Sequence, residues 1–178
     1  MERAPTGYTI SPAEQDDIPM LIEVDLAAGQ LFAPTGLIQG EALNDHVPQT
    51  VFEQAIAAGD VVKVHEGPGV PLGFALVSHR GGTLYLDQLS VHPDHGRKGL
   101  GAALIQRVFQ VAKQRKLRLV TLSTFRDVPW NGPFYRKLGF RELARKELAD
   151  WMLDLEKIQA LSLDVSKRCF VARKIGWL

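Results

Sequence analysis

The chain of 178 residues has one cysteine and no long apolar run. A single cysteine excludes an intrachain disulfide and with it a disulfide-stapled secreted scaffold, so we expect a cytoplasmic protein. The absence of about 18 consecutive apolar residues argues against a membrane-spanning helix. The first five residues also lack the apolar core of a signal peptide, so we expect neither secretion nor a membrane partner.

An excess of charge of either sign is also missing. The 21 lysine and arginine residues nearly balance the 20 aspartate and glutamate residues, which leaves a formal net charge of +1. This balance gives no support for a nucleic-acid-binding surface or a polybasic anchor, so we expect no nucleic-acid partner. His92 and His95 are close in sequence, but no cysteine or carboxylate cluster accompanies them, and we expect no metal site.

What the chain does contain is a distinctive junction between a strand and a helix. Alternating apolar residues predict a strand over 83–91, Pro93 begins a turn, and an amphipathic pattern predicts a helix over 100–115. Three glycines are spaced through the connection: Gly96, Gly99 and Gly101. The first N–H groups of a helix have no partner inside it, and the helix dipole makes that end positive. The junction therefore predicts an anion site that a bulky diphosphate can approach.

Hydrophobic periodicity predicts the other elements of one globular domain, residues 1–178. Further strands are expected at 8–10, 61–65, 72–77, 117–124 and 168–175, and further helices from 11 to 29 and at 49–58, 131–138 and 147–161. The segment Ser11-Pro12-Ala13-Glu14 matches a capped helix start. The strands 83–91 and 117–124 are expected to be parallel, because a helix connects them.

A second patterned segment follows the predicted strand 117–124. The turn Pro129-Trp130-Asn131 leads into a short predicted helix, with Asn131 in the capping position and Gly139 at the end. Residues 134–140, from this helix through its stop, read Phe-Tyr-x-x-x-Gly-Phe, with the tyrosine at position 135.

Together, the two motifs resemble those of the GNAT N-acetyltransferases. The junction is similar to the family's acetyl-CoA motif, V-x-P-x-x-[Gln/Arg]-x-x-G-x-[Gly/Ala], with Gly96 in place of the usual Gln or Arg. The second segment is similar to N-x-x-A-x-x-[Leu/Phe]-Y-x-x-x-G-F, with Asn131 where Ala is usual and Val128 where Asn is usual. The dinucleotide and P-loop glycine spacings do not fit. The resemblance covers residues 85–140 and implies an α/β fold with a central twisted mixed sheet of about six to seven strands flanked by helices.

The resemblance also implies acetyl-CoA as cosubstrate, and the residues that would hold it. These are Leu89, Ser90, Val91, Gly96, Arg97, Lys98, Gly99, Leu100, Gly101, Ala102, Asn131 and Tyr135. A backbone N–H between Leu89 and Val91 would stabilise the oxyanion, and Tyr135 would face the sulfur of the cofactor. A tyrosine of ordinary pKa, about 10, is suited to protonate a leaving thiolate.

An amine acceptor needs a base, because an ammonium with a pKa of about 10 is mostly protonated at neutral pH. We expect Asp87 to fill this role, with Asp127 as the second candidate. The residues Glu23, Phe32 and Asp45 are candidate contacts for the acceptor.

The sequence therefore favours an acetyl-CoA-dependent N-acetyltransferase in which a primary amine attacks directly in a ternary complex. A small-molecule amine and a peptide or protein amine both remain open as acceptors, as does a homodimer. The alternative is a non-catalytic acyl-CoA-binding sensor or scaffold.

Overall fold

The computed structural model describes residues 4–176, which form seven strands and five α-helices. The strands are β1 (Tyr8–Pro12), β2 (Val61–Glu66), β3 (Pro71–Arg80), β4 (Thr83–Val91), β5 (Leu119–Phe125), β6 (Arg141–Glu142) and β7 (Arg168–Lys174). The helices are α1 (Ile18–Gly29), α2 (Gln49–Ala57), α3 (Leu100–Gln114), α4 (Gly132–Lys137) and α5 (Asp150–Gln159). Short 3₁₀ turns lie between them, at Gln15–Asp17, Gln30–Thr35, Gly40–Asn44, Pro93–His95, Arg145–Glu147 and Val165–Lys167. None of the helices in the described part of the chain is long and apolar enough to span a bilayer.

The strands form one mixed sheet in the order β1-β2-β3-β4-β5-β7-β6. Strands β4 and β5 are parallel, with Leu84 opposite Val120, and α3 lies between them in sequence. The pairs β1–β2, β2–β3, β5–β7 and β6–β7 are antiparallel. The mixed sheet, its strand number and the parallel crossover predicted from the sequence are thus confirmed.

The chain forms two compact units, and β4 contributes to both. The first contains the residues through Ser78 together with Asp87–Gln110. Its hydrophobic core lies between α1, α2 and the strands β2 and β3, and consists of Ala13, Ile18, Leu21, Val24, Phe52, Val61, Phe74 and Leu76. The rings of Phe52 and Phe74 meet edge to face, with their centroids 5.2 Å apart. Burial of these side chains supplies the main stabilising force of this unit.

The second unit contains His79–Leu86 and the residues from Val111 onward. Helix α5 is held in it by an apolar stripe, with Met152 buried against Tyr85 and Phe170. The Trp151 ring meets the Tyr85 ring edge to face at 5.3 Å. Gly81, in the turn between β3 and β4, has a φ of 52°, and a Cβ there would collide with the Trp151 indole. Glycine is therefore required at this position by both backbone conformation and space.

The expected helix start at Ser11-Pro12 is wrong, because these residues complete β1. Pro12 lies opposite Val62 of β2, and the Ser11 hydroxyl is hydrogen-bonded to the His65 ring at 3.2 Å. Proline is tolerated in this position because β1 is an edge strand. The Asp17 carboxylate instead accepts the Glu14 N–H at 2.7 Å in the 3₁₀ turn Gln15–Asp17, and α1 begins directly after that turn at Ile18. Strand pairing here overrides a local capping pattern.

The C-terminal region differs from its prediction in two places. Strand β6 was not predicted, since two residues are too few to show alternation. Helix α5 begins at Asp150 instead of residue 147, because Glu147 belongs to a preceding 3₁₀ turn. The Glu147 carboxylate accepts the Ala144 N–H at 2.7 Å and pairs with Arg141 at 2.8 Å. The strand predicted at 168–175 forms β7, which pairs with β5.

Candidate functional site

The predicted strand–loop–helix junction lies in the first unit. The first helical hydrogen bond of α3 runs from the Ala103 N–H to the Gly99 carbonyl, at 3.0 Å. The N–H groups of the three residues before Ala103 therefore have no acceptor inside the helix. They belong to Leu100, Gly101 and Ala102. Together with the positive end of the helix dipole, these donors make the N-terminus of α3 suited to an anion.

The loop before α3 has two residues in the left-handed conformation. Gly99 has a φ of 79°, and Arg97, which carries a side chain, has a φ of 59°. Backbone that alternates in this way directs successive N–H groups into an anion-binding concavity. A left-handed arginine is strained, and such strain is characteristic of functional loops. The Arg97 and Lys98 side chains are exposed and add positive charge at the same place.

Gly96 differs from the other loop glycines. Its φ of −63° is accessible to any residue, and a Cβ there would lie 3.1 Å from the Pro93 carbonyl oxygen. A small adjustment of the turn would therefore admit a side chain. The departure at Gly96 from the family motif thus changes a side chain and leaves the backbone donors of the loop intact.

The end of β4 presents backbone groups on the edge away from β3. The His92 N–H, just after β4, donates to the carbonyl of Leu72, a residue of β3, at 2.8 Å. Because successive N–H groups alternate between the two edges of a strand, those of Leu89 and Val91 point to the opposite edge. Both residues lie in the range Leu89–Val91, where the oxyanion donor was expected.

Asp25 forms a buried polar centre that the sequence did not assign to the site. One of its carboxylate oxygens accepts bonds from the Ser90 hydroxyl and the Gln88 amide, both at 2.7 Å. The other accepts the Val47 N–H at 2.8 Å. Asp25 is only 3% exposed. It therefore ties α1 and the segment before α2 to the part of β4 that carries the predicted cofactor residues.

The signal for Asp25 was present in the sequence. It lies on the apolar stripe of α1, four residues after Leu21, where an ionised side chain needs a built set of donors. Ser90 was predicted to hold the cofactor, but its hydroxyl donates to Asp25, so its side chain is already engaged within the protein.

The candidate base and the candidate acceptor contacts differ in burial. Asp87 is half-buried in β4, two residues before Leu89. Phe32 is half-buried in a 3₁₀ turn, whereas Glu23 and Asp45 are exposed. The first unit thus brings Asp87 together with the predicted residues of β4 and of the loop. The other three predicted residues, Tyr135, Asn131 and Asp127, belong to the second unit.

Tyr135 is buried in α4, with 7% of its surface exposed. The rings of Phe134 and Phe140 meet it edge to face, at 5.1 and 5.6 Å. Burial raises the pKa of its hydroxyl well above the ordinary value; Tyr85 acts in the same direction, and the Arg168 charge opposes both. The ordinary pKa assumed from the sequence is therefore wrong. The hydroxyl keeps its proton over a wider pH range and is a weaker acid.

Asn131 begins α4 through its backbone instead of its side chain. Its carbonyl accepts the Tyr135 N–H at 3.0 Å, but its side chain makes no capping bond to the helix in the described structure. A capping side chain bonds the second or third N–H of a helix, and the second residue here is Pro133, which has none. Helix α4 ends at Lys137, and Gly139, the predicted stop, follows it with a φ of 86°.

Metal ligands are not grouped in residues 4–176, where no three His, Cys, Asp or Glu side chains come together. His92 instead serves its own turn, because its Nδ1 accepts the Asp94 N–H at 3.2 Å.

A family model described as Acetyltransferase (GNAT) family matches residues 35–140. The matched range includes the strand–loop–helix junction and the Tyr135 segment.

Solved structures with a similar fold cover nearly the whole chain. The PaiA N-acetyltransferase of Thermoplasma acidophilum, in complex with coenzyme A, has a TM-score of 0.72 at 15% identity, over 94% of this chain and 98% of its own. The N-acetylglutamate synthase of Neisseria gonorrhoeae, with coenzyme A and N-acetyl-glutamate, has a TM-score of 0.71 at 15% identity; the match covers 96% of this chain and 35% of that one. A ribosomal-protein-alanine N-acetyltransferase of Escherichia coli has a TM-score of 0.62 at 20% identity, over 96% of each chain.

The Asp25 centre predicts a loss of stability when its carboxylate is removed. Replacing Asp25 by Ala leaves the buried Ser90 hydroxyl and the Val47 N–H without their acceptor. We therefore expect the free energy of unfolding, measured in urea, to fall by about 1–3 kcal/mol. Glu23→Ala truncates an exposed acid on the same helix and should change stability by only about 0.5 kcal/mol. Equal stability of the two variants would contradict this assignment.

Proposed function

Because the chain belongs to the acetyltransferase (GNAT) family, we propose that it is an acetyl-CoA-dependent N-acetyltransferase acting on a primary amine. The observation that carries the proposal is the anion-binding loop before α3, which lies within the matched range. Similar structures that contain coenzyme A support the choice of cosubstrate. In this proposal residues 1–178 act as one acetyltransferase domain, and the reaction takes place in the cytoplasm.

The loop supplies the donors for the diphosphate of acetyl-CoA. Backbone N–H groups between Arg97 and Ala102 donate hydrogen bonds to it, whereas the Gly96 N–H already donates to the Pro93 carbonyl at 3.0 Å. The exposed Arg97 and Lys98 side chains raise the local concentration of the anionic cosubstrate. The pantetheine arm follows β4 from Val91 toward Leu89. The thioester oxygen then lies where a backbone N–H of this edge can stabilise it.

The reaction is a direct transfer. The neutral amine nitrogen attacks the thioester carbonyl carbon, a C–N bond forms, and collapse of the tetrahedral intermediate breaks the C–S bond. The proton lost by the amine passes to Asp87, directly or through water. The proton gained by the thiolate comes from Tyr135, which remains protonated because burial raises its pKa.

Release of free thiol in the presence of different amines tests the proposal as a whole. The purified chain is mixed with acetyl-CoA and a panel of small amines and short peptides, and thiol is measured with a chromogenic disulfide. We expect release that depends on the amine. Tight acetyl-CoA binding without turnover on any amine would favour the non-catalytic sensor or scaffold instead.

The cofactor loop predicts that Gly99→Val weakens acetyl-CoA binding by roughly tenfold or more, because a side chain would fill the concavity. Gly59→Val is a matched control. Gly59 has a nearly equal φ, 74° against 79°, and is exposed at the end of α2. Both variants should lose about 1–2 kcal/mol of stability to left-handed strain. Calorimetric affinities that fall equally in both variants would contradict the loop assignment.

The base assignment predicts a pH-dependent defect in Asp87→Asn. Its kcat/KM should fall most at neutral pH and recover partly at high pH, where the free amine is already neutral. The exposed Asp16→Asn variant should keep the wild-type profile. A wild-type pH profile for Asp87→Asn would remove it from the mechanism and transfer the role to Asp127.

The acid assignment predicts that Tyr135→Phe lowers kcat by about 10²–10⁴-fold, while acetyl-CoA affinity and stability change little. The raised pKa of Tyr135 also predicts no alkaline loss of its proton up to about pH 10, where an ordinary tyrosine would be half ionised. Tyr8→Phe, on edge strand β1, is the control for hydroxyl removal. Wild-type kcat in Tyr135→Phe, with chemistry shown to limit turnover, would assign Tyr135 to packing alone.

A further inference from the structure

A cavity of about 220 Å³ lies in the second unit, lined by residues of β5, β6, β7 and α5 and by their connections. Its lining contains three arginines and two glutamates. Apolar side chains complete the wall, among them Leu143, Leu148 and Phe170. The volume corresponds to roughly seven water molecules at about 30 Å³ each, so it suits a small molecule and no macromolecular segment of any length.

Two of the three arginines are neutralised by the two glutamates. Arg126 pairs with Glu142 at 3.0 Å, and Arg145 pairs with Glu156 at 2.6 Å. The third, Arg168, has no carboxylate within ion-pair distance among residues 4–176. The cavity wall therefore has one positive charge in excess, and it is the charge of Arg168.

The Arg168 guanidinium is held in place by neutral groups. Its Nε donates to the Gln159 side-chain oxygen at 3.3 Å, and an Nη donates to the Ser123 hydroxyl at 3.2 Å. The Phe125 ring lies against it, 4.7 Å from ring centroid to guanidinium carbon. Burial lowers the pKa of Arg168, which reflects a cation partly withdrawn from water. These two bonds use two of the five guanidinium N–H groups, and the others remain for a ligand.

A single excess positive charge selects a particular ligand chemistry. The planar fork of an arginine matches a carboxylate with two parallel hydrogen bonds. A phosphate monoester carries about −1.5 to −2 at neutral pH, which exceeds the one excess charge of a wall that already contains two glutamates. A small monocarboxylate with an apolar portion fits both the charge and the apolar side of the cavity.

We propose that this cavity binds the carboxylate of the acceptor amine, so that the acceptor is a small amino acid instead of a protein amine. The inference rests on the proposed function. It is connected to that function within the second unit, because α4, which carries Tyr135, is bonded to the lining residue Arg126: the Arg136 guanidinium donates to the Arg126 carbonyl at 3.4 Å. Arg168 then orients the acceptor by its carboxylate, and its charge also favours the loss of a proton from Tyr135.

Matched acid and amide pairs provide the test on the unaltered protein. Thiol release is measured for apolar amino acids and for their amides, for example leucine and leucinamide. Because the amide also lowers the pKa of the neighbouring amine, kcat/KM is referred to the concentration of neutral amine. We expect kcat/KM for the acids to exceed that for the amides by on the order of 10- to 100-fold. Equal values for each pair would overturn the inference while leaving the acetyltransferase proposal intact.

The variant Arg168→Gln tests whether Arg168 causes the preference for the acid over the amide. It should reduce kcat/KM for the acid to the level of the amide and leave the acid-to-amide ratio near one, which a merely structural role would not do. Lys146→Gln removes the same charge from an exposed position outside the cavity lining and should keep the wild-type ratio. If Arg168→Gln does not fold, the wild-type ratio alone decides.

Direct binding separates failure of this inference from failure of the proposed function. Absence of thiol release with every amine, acid or amide, would contradict the proposed function. The unreactive pair 4-methylpentanoate and 4-methylpentanamide is then titrated into the wild type and followed by NMR. Binding of the acid alone, lost in Arg168→Gln, supports carboxylate recognition by Arg168. No binding, or equal binding of acid and amide, overturns it.

Discussion

The parallel pairing of β4 with β5 is the constraint from which the proposed cofactor site follows. Parallel neighbours cannot be joined by a tight turn, so the chain must cross over, and α3 supplies that crossover. The N-terminus of α3 must then stand close after the carboxyl end of β4. The topology of the crossover therefore places the N–H groups at the start of α3 next to the left-handed residues Arg97 and Gly99, whether or not a cofactor is bound.

Each unit contains an ionisable side chain largely withdrawn from water, and the two are stabilised in different ways: Asp25 is buried and Arg168 is half-buried. In the first, Asp25 receives three hydrogen bonds, two from β4 and one from the segment before α2, which compensates its removal from water. In the second, Arg168 is oriented by a hydroxyl, an amide and an aromatic ring, none of which neutralises it. The first arrangement is complete by itself and fixes β4, whereas the second leaves a charge that a ligand can compensate.

Local patterns predicted the elements well where periodicity and glycine spacing agreed, as at β4, α3 and the end of α4 at Gly139. They failed where a distant partner decided the outcome: Ser11 and Pro12 match a helix cap, but pairing with β2 makes them a strand. The hydrogen-bond partners of Asp25 and Arg168 could not be assigned for the same reason. Their partners Ser90 and Ser123 are 65 and 45 residues away in sequence, so only the fold brings them together.

The strand order within the second unit determines when that unit can be completed. Strand β7 follows β5 and β6 in sequence, yet it lies between them in the sheet and pairs with both. A growing chain that has already exposed β5 and β6 must therefore hold their facing edges apart until β7 is made and inserts between them. Arg168 is the first residue of β7. Its cavity is consequently completed only after that insertion, later than the pairing of β4 with β5.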